Sequence, residues 1–349
     1  MTNSLPIKEV DTKDLDEVVT NLAPLWENFR LKKIYITGGT GFFGKWLVQV
    51  FIRANEQLSL NLQLIVLMRN AQKSIKEQLW LSKKFIHIVE GDVRTFQFNN
   101  ESFDYFIHAA TAASATLNEA DPNEMADTII EGTKRVLSLA RRSQVPKFLF
   151  VSSGAVYGSQ PSEILHMPEQ SHLGPDITNT ANAYAEAKRM AEIYCQFAHK
   201  RKVIDLKIAR CYAFLGPYLP LDQHFAAGNF INDYLNDQVI TLNGDGKPYR
   251  SYMYPTDLIE WLITILVRGQ SGEAYNVGSD EEVQLAEFAR AIDSEKKGVK
   301  ILGLSSNNAR RQAYVPSIQK SRSALGLTIR VNLKESITRT ILWHRGINR

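Results

Sequence analysis

The sequence predicts an α/β protein: a doubly wound parallel sheet, followed by a smaller mixed α/β region toward the C-terminus. Two observations carry this reading. Through the first 210 residues, short apolar, β-branched runs alternate with helix-length amphipathic segments, the pattern of strands whose crossover helices cover both faces of a parallel sheet. Residues 34 to 47 then read as strand, glycine-rich turn and helix. Ile34–Thr37 is apolar and β-branched, Gly38, Gly41 and Gly44 follow at three-residue spacing, and Phe43, Trp46, Leu47 and Val50 recur at helical spacing.

The turn is built for a phosphate. Gly38 allows a tight exit from the strand, Gly41 lets a pyrophosphate approach the backbone, and Gly44 lets the helix lie close to the sheet. The helix N-terminus offers free N–H groups and the positive end of its dipole. Three glycines alone are a weak signal; the strand before and the helix after give them meaning.

Further strands are predicted at 63–68, 85–89, 104–107 (running into His108-Ala109-Ala110), 147–152 and 204–209, with long helices at 124–142 and 183–200. Leu15, Val18, Val19, Leu22 and Leu25 mark a short amphipathic helix ahead of the first strand. After Arg210 the pattern loosens. Residues 211–256 are rich in aromatics, Gly and Pro, residues 257–268 and 284–293 are helical, and Tyr275 to Gly278 is a short strand and turn. The expected division is an N-terminal helical extension (1–30), a dinucleotide-binding domain (31–210) and a mainly substrate-binding region (211–349) that partly returns to the sheet.

Composition narrows the function. The chain is 349 residues long, 44% hydrophobic and 22% charged, which suits a globular protein with a sizeable core. The net charge of +4, from 41 basic and 37 acidic residues, argues against nucleic acid, as does the lack of basic runs interleaved with aromatics. Two cysteines, Cys195 and Cys211, make neither a disulfide framework nor a metal cluster and fit a reducing compartment. No apolar run approaches the ~18 residues that suggest a membrane span, and the first residues lack the apolar core of a secretion signal. The expectation is a cytoplasmic protein without metal, membrane or nucleic acid. His87 is read as a half-buried strand residue, and His166 and His172 as residues of a polar loop.

Tyr184-Ala-Glu-Ala-Lys188 places a phenol and an ammonium on one helix face. A tyrosine, with an ordinary pKa of about 10, becomes a usable base when a neighbouring cation favours its phenolate. It would then take a proton from a sugar hydroxyl as hydride leaves. Glu186, two residues from Tyr184, points elsewhere. Val151-Ser152-Ser153-Gly154 ends the fifth strand; Ser153 is the choice for a hydroxyl that clamps the reacting oxygen, and Ser152 the structural alternative.

Together these stretches resemble the extended short-chain dehydrogenase/reductases, in their nucleotide-sugar epimerase and dehydratase branch, from about Lys33 to Gly278. The resemblance implies a Rossmann-type domain binding NAD or NADP and a nucleotide-diphosphate sugar as substrate. The TGxxGxxG loop falls on Thr37, Gly38, Gly41, Phe42, Phe43 and Gly44. The acidic residue facing adenine falls on Asp92, beside Val93, and the strand end lining the cofactor on Ala109, Ala110 and Thr111. The catalytic hydroxyl, tyrosine and lysine fall on Ser153, Tyr184 and Lys188. Arg250, closing Gly244-Asp-Gly-Lys-Pro-Tyr-Arg, matches a clamp on the substrate diphosphate; His224 and Asn229 are further substrate-contact candidates. Tyr184 to Arg189 and Gly228 to Ile231 look most like the UDP-glucuronate decarboxylases.

Four departures qualify the resemblance. Gly154 and Ala155 stand where dehydratases and decarboxylases carry acids. Arg69 ends the second strand where NAD-preferring members have an acid, and would suit a 2′-phosphate, so NADP is favoured. The asparagine after strand six is replaced within Cys211-Tyr-Ala-Phe, and that of the fourth-helix motif within Thr128 to Thr133. Without an acid after Ser153, epimerisation through a transient 4-keto sugar is the expected reaction. A dehydratase or decarboxylase with its acid supplied elsewhere comes second, an NADPH-consuming reductase third, and a catalytically silent dinucleotide-binding protein stands outside this chemistry. A homodimer is expected, packed through Ile129, Val136 and Ala140 on one helix and Met190, Ile193, Tyr194 and Phe197 on the other.

Overall fold

The computed structural model describes residues 6–111, 120–221, 225–294, 297–304 and 310–347. Its strands are short and apolar on both faces, as a parallel sheet between two helix layers requires. In chain order they are β1 Lys33–Thr37, β2 Gln63–Met68, β3 Ile86–Glu90, β4 Tyr105–His108, β5 Lys147–Ser153, β6 Asp205–Cys211, β7 Ile240–Leu242, β8 Tyr249–Arg250, β9 Ala274–Val277, β10 Val283–Gln284, β11 Val299–Ile301 and β12 Ala313–Tyr314. Seven form one sheet in the order β3-β2-β1-β4-β5-β6-β9, every pairing parallel. The order reverses between β1 and β4, opening the crevice where such sheets bind ligands.

The predicted strands and helices of the first 210 residues are all present, with boundaries moved by a few residues. The smaller sheets are additions that the sequence reading did not give. β7 pairs in parallel with β11, and β8 lies between β10 and β12. These strands are two or three residues long, too short to show a period. His87 is exposed rather than half-buried, because β3 is the edge of the sheet.

One face of the main sheet is covered by Trp46, Phe51, Trp261 and Leu262 with their neighbours. The other packs Phe106, Phe148 and Phe150 against Ile129, Val136 and Cys195. Ile129, Val136 and Ala140 are therefore buried within the subunit and are not available to a partner, a correction to the expected dimer face. Met190, Ile193 and Phe197 do remain exposed. Among the described residues no helix is long and apolar enough to cross a membrane.

The N-terminal segment is a structural strap. Asp11 caps the helix Thr12–Asn21 by accepting from the Lys13 N–H, and the following turn buries Leu25, Trp26 and Phe29. Asp14, 1% exposed, accepts from the Tyr254 hydroxyl at 2.6 Å and from Arg339 Nη1 at 2.9 Å. It thereby ties the first helix to the start of helix Pro255–Arg268 and to the last helix, Leu333–His344. Asp14→Ala leaves Arg339 with Glu17 and Glu335 but strips both groups of their buried acceptor. It is expected to cost about 3 kcal/mol, the low end for breaking a buried pair, read as a lower denaturant midpoint at unchanged slope; an unmoved midpoint would show that the strap is dispensable.

Candidate active site

The cradle forms where β1 and β4 end side by side. Thr37, fully buried, accepts from the Ala110 N–H at 3.1 Å and meets His108 Nδ1 at 2.7 Å. On the other side of the ring His108 Nε2 lies 3.0 Å from Thr133 Oγ1, which donates its own proton to the Ile129 carbonyl. Thr133 must then accept, so Nε2 carries the imidazole proton and Nδ1 takes that of Thr37. Burial, with the Lys188 charge adding, pushes His108 down to about 3, so the ring stays neutral.

Gly38 adopts φ +74°, and a Cβ there would stand 2.8 Å from the Ala109 carbonyl carbon and oxygen. A Cβ on Gly44 would come 2.1 Å from the Gly38 carbonyl oxygen. Gly41 differs: the nearest atom to its Cβ would be 3.4 Å away, leaving space in front of the backbone. The helix Phe42–Leu58 begins after Gly41 with no side-chain cap, so its first N–H groups have no internal partner. Thr111 Oγ1 is buried without a hydrogen-bond partner among the described residues. An open glycine, uncapped N–H groups and an orphaned hydroxyl fit a pyrophosphate-bearing dinucleotide. Phe42 and Phe43 flank the entrance half-buried, Phe43 set edge-on to Phe214.

At the adenosine end the sequence reading missed a residue. Arg94 grips Asp92 with two hydrogen bonds, 2.8 and 2.9 Å, and reaches Glu124 at 2.7 Å. This holds the Asp92 carboxyl below the usual range. The Asp92 carboxylate is thus already engaged, and its neighbour's identity in Gly91-Asp92-Val93-Arg94 was the available signal. Val93 packs against Gly132, where a Cβ would meet it at 2.8 Å. Arg69 stands exposed just beyond β2, close enough to Asp92 to help hold its charge.

Ser153, Tyr184 and Lys188 converge at the end of β5. The helix Ala183–Lys200 carries the last two one turn apart. Ser153 Oγ accepts from the Ala155 N–H at 3.1 Å and is near enough to Tyr184 to favour its phenolate. Lys188, 2% exposed, donates to the Val151 carbonyl at 2.8 Å, with its Nζ 6.0 Å from the Tyr184 ring centre. Burial pushes Lys188 down to about 8 and Tyr184 up to about 12. The expected lowering of Tyr184 by Lys188 does not show here: burial of the phenol is the largest effect, the Ser153 hydroxyl opposes it, and the ammonium is turned toward a carbonyl.

Ser152 is the structural serine. It donates to Glu192 at 2.6 Å, Glu192 is gripped by Arg210 at 2.7 and 3.1 Å, and Arg210 reaches the Tyr157 hydroxyl, which donates to Asn276. Glu186 turns outward to Arg189.

The space beside Ser153 is filled by aromatics. A Cβ on Gly154 would lie 2.7 Å from the Tyr212 ring and 2.8 Å from the Tyr314 hydroxyl; the two rings are tilted against each other with centres 4.6 Å apart. The missing acid therefore reflects occupied volume, and the glycine is what the tyrosines allow. Arg250, half-buried on β8 beside β12, is near enough to Tyr314 to favour its phenolate. Next to it a cleft of about 280 Å³ is lined by Lys247, Tyr249, Arg310 and Arg311, with Arg311 stacked over Tyr249 at 4.7 Å. Asn229 lies on the exposed face of helix Ala226–Leu235. His224 lies outside the described residues. No group of three or more His, Cys, Asp or Glu among the described residues is placed to hold a metal.

A parallel sheet with a dinucleotide cradle and a Ser, Tyr, Lys site at its carboxyl edge defines a nicotinamide-dependent enzyme. The chain belongs to the NAD dependent epimerase/dehydratase family, whose model matches residues 34–278. It is 27% identical over 311 residues to UDP-glucuronic acid decarboxylase 6 of Arabidopsis thaliana, covering 87% of this chain and 86% of that one. In structure it is similar to a dTDP-glucose 4,6-dehydratase from Streptomyces venezuelae with NAD bound (TM-score 0.75, 22% identity, 90% of this chain and 97% of that one). It is equally similar to a UDP-N-acetylglucosamine 4-epimerase from Methanobrevibacter ruminantium (TM-score 0.76, 19% identity, 90% and 98%). Decarboxylase, dehydratase and epimerase all stand among these relatives.

The packing beside Ser153 is directly testable. Gly154→Ala puts a methyl into the Tyr212 and Tyr314 rings, and overpacking of this kind costs about 1–3 kcal/mol. A thermal melt of the variant is expected to drop accordingly; an unchanged melting temperature would mean the tyrosines move aside freely.

Proposed function

We propose that this enzyme epimerises a nucleotide-diphosphate sugar through a transient 4-keto sugar. The observation that carries the reading is the grouping of Ser153, Tyr184 and Lys188 beside the dinucleotide cradle, with tyrosine rings rather than carboxylates next to Ser153. Tyr184 takes the proton of the sugar hydroxyl, Ser153 holds the reacting oxygen, and Lys188 supplies a buried ammonium. Bound NAD or NADP supplies the hydride acceptor. Elimination of water needs an acid at the leaving group, and neither Gly154 nor Ala155 is one, so return of the hydride to the other face is the simplest outcome.

The finer assignments follow. Arg69 favours NADP, through a pairing of its guanidinium with a 2′-phosphate, although the family is described by NAD. Arg250 and the basic cleft beside it suit the diphosphate of the substrate. Residues 31–210 hold the cofactor and 211–349 most of the substrate site, with 1–30 as the extension. Met190, Ile193 and Phe197, exposed in a row on helix Ala183–Lys200, form the face of a homodimer working in the cytoplasm. Light scattering at micromolar concentration is expected to give twice the chain mass; a monomer mass would remove the dimer.

The deciding experiment is incubation with UDP-, dTDP-, GDP- and CDP-sugars, read by mass and NMR. Unchanged mass with inverted configuration supports epimerisation, while a loss of about 18 or about 44 mass units, water or carbon dioxide, would overturn it in favour of the dehydratase or decarboxylase. Tyr184→Phe is expected to retain cofactor and sugar binding and to lose turnover by about 10²–10⁴-fold. Lys188→Ala should lose cofactor affinity as well. With cofactor bound, the activity limb of the wild type should fall below the ~10 of a free tyrosine. Near-normal turnover of Tyr184→Phe with the limb unshifted would remove Tyr184 as the base.

A further inference from the structure

We infer that the edge of the central sheet where its strands begin, opposite the active site, docks on an anionic lipid surface. The inference goes beyond the reaction proposed above and does not depend on it. Backbone bonds join the turns of this edge in a row. The Gln63 N–H donates to the Lys32 carbonyl, that of Asp104 to Lys33, that of Lys147 to Asp104 and that of Asp205 to Pro146. Seven strands at about 4.8 Å spacing make the row roughly 29 Å long.

Two features mark the row. The first is charge. Lys84, Arg141, Lys200, Arg201, Lys202 and Arg268 stand exposed in the turns and helix ends that lead into β3, β5, β6 and β9, with no ion pair among the described residues. The acids nearby are engaged: Glu27 by Arg30, Glu56 by Lys83, Asp104 by Lys32 and Asp205 by Lys207. Glu101 stands exposed without such a partner. Helix C-termini favour cations, which accounts for Arg268 at the end of its helix, but Lys84 lies outside any α-helix. The second feature is apolar. Leu31 is 73% exposed and Val145 50%. Each stands two residues ahead of its strand, β1 or β5, and these strands lie about 10 Å apart across β4. Both residues hold left-handed backbone, with φ 59° and 45°, which a β-branched valine rarely adopts. Glycine or asparagine would fit either turn better, yet the chain places aliphatic side chains there, close in sequence to Arg30, Lys32, Arg141 and Arg142.

Cations set around exposed aliphatic tips suit a bilayer of anionic lipid. The charge pairs with headgroups, and the tips enter the boundary of the acyl region. Single-stranded nucleic acid is held instead by stacking on aromatics, and protein interfaces deplete lysine. No described helix is long and apolar enough to cross a bilayer, so the contact is peripheral. Docking leaves catalysis free. Ser153 ends β5 and the glycine turn follows the end of β1, so the site opens at the far ends of the strands, away from the lipid.

The test is sedimentation of the full chain with phosphatidylcholine vesicles, with and without about 30% phosphatidylserine, at low and raised salt. Binding is expected to the anionic vesicles and is expected to fall as salt rises. Lys200→Ala, Arg201→Ala and Lys202→Ala together should weaken it by about 100-fold, at roughly fivefold per cation. Leu31→Ser with Val145→Asn keeps the charge and should weaken it by about tenfold, with the salt dependence unchanged. The thermal melt and NAD binding report that each variant is folded. Lys84→Ala with Arg268→Ala, on other strands, repeats the charge test with an expected loss of about 25-fold should the triple variant misfold. Absence of binding to anionic vesicles at low salt, or binding that survives loss of these cations, overturns the inference. So does equal affinity for double-stranded DNA or polyglutamate that ignores the Leu31 and Val145 changes. Protein that turns over no nucleotide sugar, yet binds the vesicles through these residues, would sink the proposed function and leave this inference standing.

Discussion

The structure depends on one close approach, that of the turn after β1 to the end of β4. At Gly38 the two backbones are so near that even a Cβ has no room. The contact is possible only because β1 and β4 are neighbours at the point where the sheet reverses its order. The cradle's features gather at it: the tight exit, the free helix N-terminus and a Thr111 hydroxyl with no partner among the described residues. The Thr37, His108 and Thr133 chain pins the same strand ends with hydrogen bonds whose directions are fully determined, and it uses a histidine held neutral by burial.

The second layer of organisation lies under the catalytic strand. Ser152 and Ser153 are adjacent on β5, and alternation along the strand sends them to opposite sides. Ser152 enters a buried set with Glu192, Arg210, Tyr157 and Asn276 that joins β5, helix Ala183–Lys200, β6 and β9. Ser153 faces the site. The helix that positions Tyr184 and Lys188 is thus held one turn further on by Glu192, through its ion pair with Arg210. A buried pair adds little net stability once desolvation is counted, while losing one partner costs several kcal/mol, and this pair sits directly beneath Tyr184 and Lys188.

Much of this was legible in the sequence. The cradle and the Tyr184, Lys188 pair are local in sequence, governed by turn chemistry and helical spacing, and such signals survive without a structure. The main strands were legible because each is a continuous apolar run. What was not legible came from distant residues. Arg94 lies two residues from Asp92, but its second carboxylate partner, Glu124, is thirty residues away and meets it only once the helix beginning at Pro122 is in place. Tyr314 reaches Gly154 from β12, a strand too short to show a period. Gly154 read as an absence, a lost acid, when the fold makes it a space already filled. Ile129, Val136 and Ala140 looked like a spare apolar stripe because a sequence does not say which of two packed helices will cover the other.

The strap carries a consequence for how the protein is made. Asp14 is separated from Arg339 by 325 residues, so its carboxylate is synthesised 325 residues ahead of the cation that pairs with it. Until then a charge sits at a position that the finished molecule makes almost dry, and the first helix cannot settle against the sheet with its full complement of bonds. Domains tend to fold as they emerge, and the central sheet can pair in that order. The contact that completes the first helix instead joins residues 325 positions apart and closes only after the strands of the central sheet have been translated.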